Sequence, residues 1–421
     1  MRILYVCQYF PPEMGAPSAR VHELAREWVR SGHEVTVLTA FAHHPTGLKA
    51  SGDRWKLTRR ETLDGVDVLR TYVYATPNKG TFRRMLSYAS FMLSAMSIGW
   101  LRVKRPDVVI ASSPQLLCGA AGWFLSRVLR APLIFEVRDL WPESLLAVEI
   151  MKDNFLIACL RRLARFLYQN CASIVTVGQG YKRNISSLYG IAPEKISIIP
   201  NGIDPALFDA KADGRQLRAR KKWDDRFVVM YVGTHGMAHA LENVLEAARL
   251  LSPDSRFLFV FVGEGAEKSS LEQRAAQWQL RNVEFIGQQP KQAIPEYYAA
   301  CHVGIVSLRN TPLFQEVLPS KLFEYLAMER PVVLTLGGEA QSIIEESGAG
   351  VYVAPENPTS LAEALRTLAA DPAKLQAMGV RGRQYVLRNF DRRVLAQDYL
   401  KLMATLCGAA TTTLQPAADR A

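Results

Sequence analysis

Short runs of apolar, often β-branched residues alternate along this chain with longer segments of helical periodicity. In the segment 18–30, for example, Val21, Leu24 and Trp28 recur at helical spacing. Strands without polar alternation are typical of parallel sheets that helices cover on both faces. The pattern therefore predicts an α/β fold. Six strands are predicted in the first half of the chain, at 3–7, 34–39, 67–74, 107–112, 133–137 and 173–178.

The same alternation starts again after a segment rich in turn signals. Pro200 and Asn201-Gly202 interrupt the pattern, and a charged stretch follows them. We expect a domain boundary there, with domains over 1–200 and 201–390. Both are predicted to be doubly wound sheets that face each other, with ligands between them at the carboxyl ends of the strands. Six more strands are predicted at 227–233, 257–263, 283–287, 303–308, 331–335 and 350–354.

The net charge of +11 is distributed unevenly between these halves. Residues 1–200 contain 26 Lys and Arg against 15 Asp and Glu, whereas residues 201–421 contain 25 of each kind. A basic domain indicates an anionic partner, which is a nucleic acid, a membrane surface or a phosphorylated substrate. Because no nucleic-acid reader motif and no basic stripe with interleaved aromatic residues is found, a nucleic-acid partner is not expected.

The cysteines and the first residues of the chain bear on its compartment. Six cysteines are scattered without paired spacing, which supports neither a zinc site nor a disulfide framework. The apolar run at 3–7 is too short for a signal peptide and is followed by no small-residue cleavage site, so it is interpreted as a strand. We therefore expect the chain in the cytoplasm. Residues 391–421 are expected to form a helix that packs back towards the N-terminal domain and then a polar tail.

Glycines follow several predicted strands, where the backbone can approach a phosphate closely. The first strand is not followed by GxGxxG, which argues against a nicotinamide-dependent enzyme. Gly15 precedes a helix there and either meets a phosphate or only makes a tight turn. In the second domain Gly233-Thr234-His235 follows one strand, and the turn after the next strand leads to Lys268. Both turns are candidate phosphate sites at strand carboxyl ends.

The most specific stretch is 314–327, FQEVLPSKLFEYLA. Glu316 is expected on a loop, and Ser320 is expected to cap a helix in which Glu324 lies about one turn in. The N–H groups at that helix start, with Lys321 beside them, would face an anion. Carboxylates on either side of it would accept hydrogen bonds from ribose or sugar hydroxyls. A capping serine and two exposed surface glutamates are the alternative interpretation.

The spacing of Glu316 and Glu324 is E-x7-E, and it resembles the retaining GT-B glycosyltransferases of glycosyltransferase family 4. The resemblance covers roughly residues 1–405. It implies a GT-B fold of two Rossmann-like domains and sugar transfer with retention of configuration, without a metal. Four further stretches match in the same order, namely PPEMGAPSARVHELAREWVRSGHEVTVLT, IIPNGIDPALF, VGEGAEKSSL and VEFIG…IPEYYAACHVGIVSL.

A narrower resemblance is carried by three stretches, SSPQLLCGAAG, APLIFEVRDLWPES and the paired-glutamate loop with PSK. They are similar to bacterial transferases for N-acetylfucosamine and related sugars in O-antigen, capsule and exopolysaccharide synthesis. Those enzymes use nucleotide-sugar donors and polyprenyl-diphosphate-linked acceptors. The resemblance therefore implies the same two substrate classes here.

Residue by residue, the resemblance implies that Glu316 binds hydroxyls of the donor sugar and that Glu324 binds the ribose diol. Ser320 and Lys321 would meet the diphosphate, and Gly15 would lie against its β-phosphate. The remaining donor-binding residues are Ile286 and Gly287, at the uracil site, together with Gly233, Thr234, His235, Lys268 and Leu322.

The chain departs from the family pattern at the diphosphate. Many relatives carry an Arg…Lys pair after the strand that ends at Gly233, whereas this chain has His235 and His239 there. The cations that would replace that pair are Lys321, Lys268 and Arg138.

A second departure concerns the acceptor side. Many relatives carry a His before an Asp in the first domain, and this chain has Arg138-Asp139 instead. Asp139 is either a base or acceptor-orienting group or a capping residue in a turn. The predicted catalytic set is Glu316, Asp139 and Arg138.

An uncharged segment, 85–101, lies in the basic half between clusters of arginine and lysine. Because it joins two strands of one sheet, it is expected to be a buried crossover helix or an interfacial helix, and not a membrane span. With the basic charge of this domain, it indicates peripheral contact with the anionic inner face of the plasma membrane.

The sequence thus predicts a metal-independent retaining hexosyltransferase without a cofactor. It would move an N-acetylated hexosamine or 6-deoxyhexosamine, such as N-acetylfucosamine, from a UDP-sugar to a polyprenyl-diphosphate-linked glycan. The alternative is a GT-B-fold UDP-sugar 2-epimerase, which acts on the free nucleotide sugar and needs no lipid acceptor.

Overall fold

The structure is a computed structural model, and it describes residues 1–13, 15–43, 47–76, 81–113, 115–147 and 154–408. The predicted polar tail at 409–421 lies outside these ranges. The first half of the chain forms one sheet in the order β3-β4-β2-β1-β5-β6-β7-β8. Its strands are β1 (Arg2–Val6), β2 (Glu34–Ala40), β3 (Thr58–Leu63), β4 (Val66–Thr71), β5 (Val108–Ser112), β6 (Leu133–Val137), β7 (Ser173–Thr176) and β8 (Ile196–Ile198).

Two of these strands, β3 and β8, were not predicted from the sequence. β3 pairs antiparallel with β4 through a tight turn at Asp64-Gly65, whose φ angles are 49° and 80°. An Asp-Gly turn with both φ positive joins antiparallel strands, so the sheet is mixed at this edge and not parallel throughout. β3 carries the polar sequence TRRETL with no fully buried residue, and no apolar run marks it.

Helices cover both faces of the first sheet. The uncharged segment 85–101 forms one continuous helical stretch with a π-helical turn at Ala95–Gly99 between α2 and α3. None of the helices in the described ranges combines the length and hydrophobicity of a membrane span. The helices are α1 (Ala16–Arg30), α2 (Thr81–Ser94), α3 (Trp100–Arg102), α4 (Leu116–Leu129), α5 (Glu143–Ala147), α6 (Phe155–Asn170) and α7 (Gln179–Tyr189).

The second half forms a parallel sheet in the order β11-β10-β9-β12-β13-β14, and all six predicted strands are present in it. The four central strands, β10, β9, β12 and β13, are buried along almost their whole length, because helices cover both faces. The strands are β9 (Phe227–Val232), β10 (Phe257–Val262), β11 (Val283–Ile286), β12 (Val303–Ser307), β13 (Val332–Thr335) and β14 (Gly350–Tyr352). The helices are α8 (Arg215–Lys221), α9 (Leu241–Leu250), α10 (Lys268–Gln277), α11 (Ile294–Ala300), α12 (Ser320–Ala327), α13 (Glu339–Ser347), α14 (Pro358–Ala369), α15 (Pro372–Phe390) and α16 (Arg392–Leu406).

The chain crosses between the two units twice, and the crossings lie side by side. Ile203 and Asp391 form a parallel bridge, in which the Ile203 N–H donates to the Phe390 carbonyl (2.8 Å). After the second crossing α16 packs on α1 of the first unit, where Trp28 Nε1 donates to the Ala396 carbonyl (3.0 Å). The rings of Tyr399 and Trp28 pack edge to face, with their centroids 5.2 Å apart.

A buried ion pair joins α1 to the first sheet. Arg20 Nε donates to Glu136 Oε1 (3.0 Å), and both side chains are fully enclosed. Glu136 also accepts from Ser112 Oγ (2.9 Å) and from the Tyr5 hydroxyl. Burial alone would raise the pKa of Glu136, but Arg20 and these hydrogen bonds outweigh it and hold that pKa below its usual value. The carboxylate is therefore ionised and fully partnered.

The other two nitrogens of Arg20 hold the start of the interdomain crossing. Nη2 donates to the Ile199 carbonyl (2.8 Å) and Nη1 to the Pro200 carbonyl (2.5 Å). One guanidinium thus ties the first helix, the sheet and the linker together.

Substitution of Glu136 by Leu should lower the free energy of unfolding by about 3–5 kcal/mol, because the Arg20 charge would remain buried without its partner. Urea unfolding followed by circular dichroism measures this loss. The double variant Arg20→Met/Glu136→Leu should recover part of it, since neither charge is then buried. A loss of well under 1 kcal/mol in Glu136→Leu would contradict the assigned role.

Candidate active site

The ends of β9, β10 and β11 meet in two close turns at the carboxyl edge of the second sheet. The Gly233 N–H donates to the Val262 carbonyl (2.9 Å), and the Gly263 N–H donates to the Ile286 carbonyl (2.9 Å). A Cβ on Gly263 would lie 2.0 Å from the Gly233 carbonyl oxygen, and the φ angles of the two glycines are +144° and +142°. Only glycine fits this approach. The strand order reverses beside β9, which is where ligands bind in such sheets.

The start of α12 lies beside these turns. Ser320 is its first residue, Pro319 precedes it, and among the described residues no side chain caps the helix. The predicted capping role of Ser320 is therefore wrong, because a capping residue must lie outside the helical turn. The Leu322 N–H donates to the Pro319 carbonyl (3.0 Å) and its side chain is fully buried in the core, so Leu322 does not face the cleft.

Lys321 reaches from α12 to the end of β9. Its Nζ lies 3.7 Å from the centroid of the Tyr231 ring and 2.8 Å from the position that a Cβ on Gly233 would occupy. This nitrogen is buried and has no hydrogen-bond partner among the described residues. Burial lowers the pKa of Lys321 to about 7, against a smaller opposing effect of Glu324.

Glu324 lies one turn further along α12. Its Oε2 accepts a hydrogen bond from the Tyr298 hydroxyl (2.6 Å), and burial raises its pKa despite that bond. Ser320 and Glu324 line a cavity between the two units, opposite Ala16 and Ala19 of α1. The start of α1, which follows Gly15, therefore faces the start of α12 across the cleft.

Glu316 contacts the first unit directly. It ends a short 3-10 turn at Phe314–Glu316, and its Oε2 accepts from Arg183 Nη2 of α7 (2.7 Å). A Cβ on Gly180 would lie 1.8 Å from that oxygen, so the glycine permits the approach. The carboxylate predicted to bind the donor sugar is thus paired across the cleft in this structure.

A second carboxylate reaches the same helix. Glu339, the first residue of α13, accepts a hydrogen bond at Oε2 from the Gln179 N–H (2.8 Å) at the N-terminus of α7. Together with Glu316 it makes a double contact between the two units, which we call the α7 contact. Arg183 and Glu339 were not predicted from the sequence. The Gly178-Gln179-Gly180 run at the start of a helix was the available signal.

On the opposite face of the cleft, Arg138 holds the turn at Gly15. Its Nη1 and Nη2 donate to the carbonyls of Pro17 and Ala16 (3.0 Å each). Its backbone N–H donates to Ser113 Oγ (2.8 Å). Gly15 has a φ of +130° and directly precedes α1. Arg138 therefore positions this turn, with its terminal nitrogens already used by the protein.

Asp139 follows Arg138 after the carboxyl end of β6. Burial raises the pKa of its carboxyl group above the usual value, although the neighbouring side chains of Ser144 and Trp141 act against this rise. Its backbone carbonyl accepts from the Trp141 N–H (3.0 Å). A partly enclosed carboxyl group of raised pKa, at a strand end that faces the cleft, is suited to accept a proton.

The turn after β9 carries the other predicted donor residues. The ring of His235 is fully buried, and the Thr234 carbonyl accepts from the Tyr231 hydroxyl (2.8 Å). Lys268 starts α10 and is paired with Glu264 (2.6 Å), which offsets its charge. Among the predicted cations, Lys321 alone is both buried and without a hydrogen-bond partner in the described residues.

The predicted uracil site lies at the neighbouring strand end. Ile286 is the last residue of β11 and is almost completely buried, and the Gly287 carbonyl accepts from Gln289 Nε2 (3.1 Å). The structure thus brings Gly233, Lys321 and Glu324 to one edge of the second sheet. In the described ranges no group of three or more His, Cys, Asp or Glu side chains is arranged to hold a metal ion.

Both halves of the chain match known families. Residues 15–202 match the glycosyl transferase 4-like domain, and residues 213–385 match the glycosyl transferases of group 1. The chain is a glycosyltransferase. The second match contains the whole paired-glutamate stretch with Lys321. The order of the two domains is the order in which the two sheets follow along the chain.

Curated relatives and solved structures extend this likeness over the full chain. The colanic acid biosynthesis glycosyl transferase WcaI of Escherichia coli K12 is 26% identical over 413 residues, which are 95% of this chain and 99% of WcaI. WbjE of Pseudomonas aeruginosa, named as a glycosyltransferase, is 24% identical over 71% of this chain and 74% of its own length. Sucrose-phosphate synthase from Thermosynechococcus elongatus superposes with a TM-score of 0.75 at 18% identity, covering 97% of this chain and all of its own.

Two further solved structures share the architecture. Anabaena HepE, in complex with UDP and glucose, superposes with a TM-score of 0.73 at 18% identity, over 96% of this chain and 100% of HepE. WaaG, a glycosyltransferase of lipopolysaccharide biosynthesis, superposes with a TM-score of 0.67 at 16% identity, over 96% and 99% of the two chains. These likenesses confirm the predicted GT-B fold.

Loss of the α7 contact should open the cleft. The exposed ion pair between Arg183 and Glu316 is worth about 0.2–1 kcal/mol, and the hydrogen bond from the Gln179 N–H to the Glu339 carboxylate adds to it. The double variant Arg183→Gln/Glu339→Gln removes one charge from each of these contacts and should therefore shift the closed-to-open ratio several-fold. Small-angle X-ray scattering should then show a larger radius of gyration than for the wild type. Arg388→Gln, an exposed arginine of α15, is the matched control. An unchanged scattering curve for the double variant would show that the contact does not hold the cleft closed.

Proposed function

We propose that this glycosyltransferase moves a sugar from a UDP-sugar to a polyprenyl-diphosphate-linked glycan during cell-surface polysaccharide synthesis. The observation that carries this proposal is the arrangement at α12. A buried lysine amine that has no hydrogen-bond partner among the described residues lies at the helix start, and a carboxylate lies on each side of it along the chain, at Glu316 and Glu324. Such a set provides one cation for a diphosphate and two acceptors for hydroxyl groups.

The nucleotide-sugar donor is supported by the similar structures. HepE has been captured with UDP and with UDP-glucose in the same two-domain architecture. A role in cell-surface polysaccharide synthesis is supported by the colanic acid biosynthesis enzyme WcaI and by WaaG of lipopolysaccharide biosynthesis. The acceptor class rests on the narrower resemblance of the sequence. On that resemblance we propose an N-acetylated hexosamine or 6-deoxyhexosamine, such as N-acetylfucosamine, as the sugar.

The proposed chemistry is retention of configuration without a metal. The N–H groups at the start of α12 and the Lys321 amine would stabilise the leaving diphosphate electrostatically. Glu324 would hold the ribose and Glu316 the donor sugar, which requires the sugar to replace Arg183 as the partner of Glu316. Arg138 positions the Gly15 turn against the β-phosphate, and Asp139 orients the acceptor hydroxyl or accepts its proton.

The acceptor is proposed to reach the first domain from the inner face of the plasma membrane. Fifteen of the eighteen large apolar side chains that are exposed in the described residues lie within the first 200 residues. Trp55, Phe82 and Phe155 are the most exposed of them, at 88%, 81% and 81%. The same domain carries the whole positive excess of the chain. Apolar anchors combined with basic charge favour an anionic membrane surface.

A transfer assay tests the proposed function. The protein is incubated with a panel of UDP-sugars and a polyprenyl-diphosphate-linked sugar, and the lipid fraction is analysed for an extended product. Glu316→Gln and Glu324→Gln should each lower kcat/KM by about 10- to 100-fold, the loss expected when a hydrogen bond to a charged group is removed. Glu363→Gln, an exposed glutamate of α14, should retain wild-type activity.

The outcome separates the two enzyme classes. Interconversion of the free UDP-sugar with no lipid product would overturn the transferase proposal in favour of the epimerase. Wild-type turnover in both glutamate variants, with unchanged circular dichroism, would show that the donor site is assigned to the wrong residues.

Membrane contact should depend on both charge and exposed aromatic residues. At low salt the protein should co-sediment with vesicles that contain anionic lipid, and higher ionic strength should release it. Trp55→Ser/Phe82→Ser should bind more weakly at every salt concentration, whereas Val380→Ser in the second domain should not. Equal binding to neutral and anionic vesicles would contradict the electrostatic part of this proposal.

A further inference from the structure

A cluster of buried nitrogen atoms, which find no hydrogen-bond partner in the part of the chain that the structure describes, lies at the carboxyl end of β9. Its members are Lys321 Nζ, both ring nitrogens of His235, and His239 Nδ1. They are among the few buried polar atoms left without a partner in the described part of the second domain. Buried polar groups are normally paired, so this cluster indicates a site that binds a polar ligand.

The members of the cluster surround one aromatic ring. The Lys321 amine lies 3.7 Å from the centroid of the Tyr231 ring. The rings of His235 and His239 have their centroids 5.8 Å and 5.9 Å from the same centroid. The four groups therefore form one site, beside the Gly233 turn.

In the free enzyme the site holds little positive charge above neutral pH. Burial lowers the pKa of Lys321 to about 7. Burial and the neighbouring Lys321 also lower the pKa of His235 to about 4 and that of His239 to about 3, and Lys268 contributes at His235. A charge enclosed without a counter-ion is costly, so each group is more stable without its extra proton.

The neighbouring groups do not neutralise a positive charge on Lys321. Glu264 acts on His235, but it is already paired with Lys268 of α10 (2.6 Å). Glu324 favours the charged form of Lys321 only weakly compared with burial. The Ser307 carbonyl accepts from the His239 ring. The Tyr231 ring face attracts an ammonium group by a cation–π contact, but it supplies no negative charge.

We propose that Lys321 is the counter-charge of the donor's diphosphate and that its buried amine takes up a proton from solvent when the nucleotide binds. This inference rests on the proposed function and deepens it. His235 and His239 complete the site as uncharged neighbours. An arriving diphosphate supplies the negative charge that the amine lacks, so the ammonium form becomes the favoured one.

Proton uptake by Lys321 should make nucleotide affinity fall as pH rises. Binding that raises the proton affinity of a group is strongest where the group is already protonated, below its free pKa of about 7, and weakens as pH rises above it. The dissociation constant for UDP should therefore rise by up to about tenfold per pH unit between pH 7.5 and 8.5. In this window the UDP phosphates do not titrate, because the second pKa of a phosphate is about 6.

Isothermal titration calorimetry with UDP measures the proton directly. At pH 8 the binding enthalpy is determined in buffers of different ionisation enthalpy, and the slope gives the protons taken up. We expect close to one proton for the wild type. Lys321→Arg should bind UDP with no uptake, since a guanidinium stays protonated. Lys374→Met, an exposed lysine of α15, should behave as the wild type.

The possible results separate this inference from the proposed function. UDP binding to the wild type without proton uptake overturns this inference alone. Absence of UDP binding between pH 6.5 and 8.5 overturns the proposed function as well. Uptake in Lys321→Arg equal to that of the wild type would place the titrating group elsewhere and also overturn the inference.

A second variant keeps the test valid if Lys321→Arg does not fold. Lys321→Met removes a buried amine that has no hydrogen-bond partner in the described structure, so the free protein should unfold at an equal or higher temperature. The same variant should bind UDP more weakly, and its dissociation constant should not change between pH 7.5 and 8.5. A lower unfolding temperature with unchanged UDP affinity would indicate a structural lysine and overturn the proposal.

Discussion

The buried pair of Arg20 and Glu136 is the contact on which the arrangement of the two domains depends. The guanidinium reaches the sheet through Glu136 and the crossing through the carbonyls of Ile199 and Pro200. The start of the linker is thereby fixed to the first domain. Rotation between the domains must occur beyond Pro200, where the two crossings are joined by the backbone bridge between Ile203 and Asp391. The cleft thus has a narrow hinge on one side and the α7 contact on the other.

The fold was largely predictable because burial leaves a strong signal in the sequence. A strand that is covered on both faces must be apolar along its length, as FLFVFV of β10 is, and such runs located all six strands of the second sheet. The polar edge strand β3 leaves no such signal, although its Asp64-Gly65 turn marks an antiparallel hairpin. The three-residue strand β8 is too short to stand out from the turn signals that follow it.

The site was predictable only where its residues are close in sequence. Glu316, Lys321 and Glu324 lie within one loop and one helix, so their spacing identified them. Their partners come from distant elements. Tyr298 of α11 and Arg183 of α7 meet the two carboxylates through tertiary packing that no local pattern records. The capping role predicted for Ser320 was wrong for another reason. The helix begins at Ser320 itself, one residue earlier than expected, so Pro319 takes the capping position.

Arg20 and Lys321 show how the two cationic side chains suit opposite tasks in one chain. A guanidinium keeps its charge in proteins, so burial is tolerable only when permanent partners surround it, as Glu136 and two carbonyls surround Arg20. A site that must stand empty between reactions cannot offer permanent partners. An amine can release its proton there and regain it when the ligand binds. Lys321, which reaches from α12 to the end of β9, therefore leaves the free enzyme stable and still provides a cation when a diphosphate arrives.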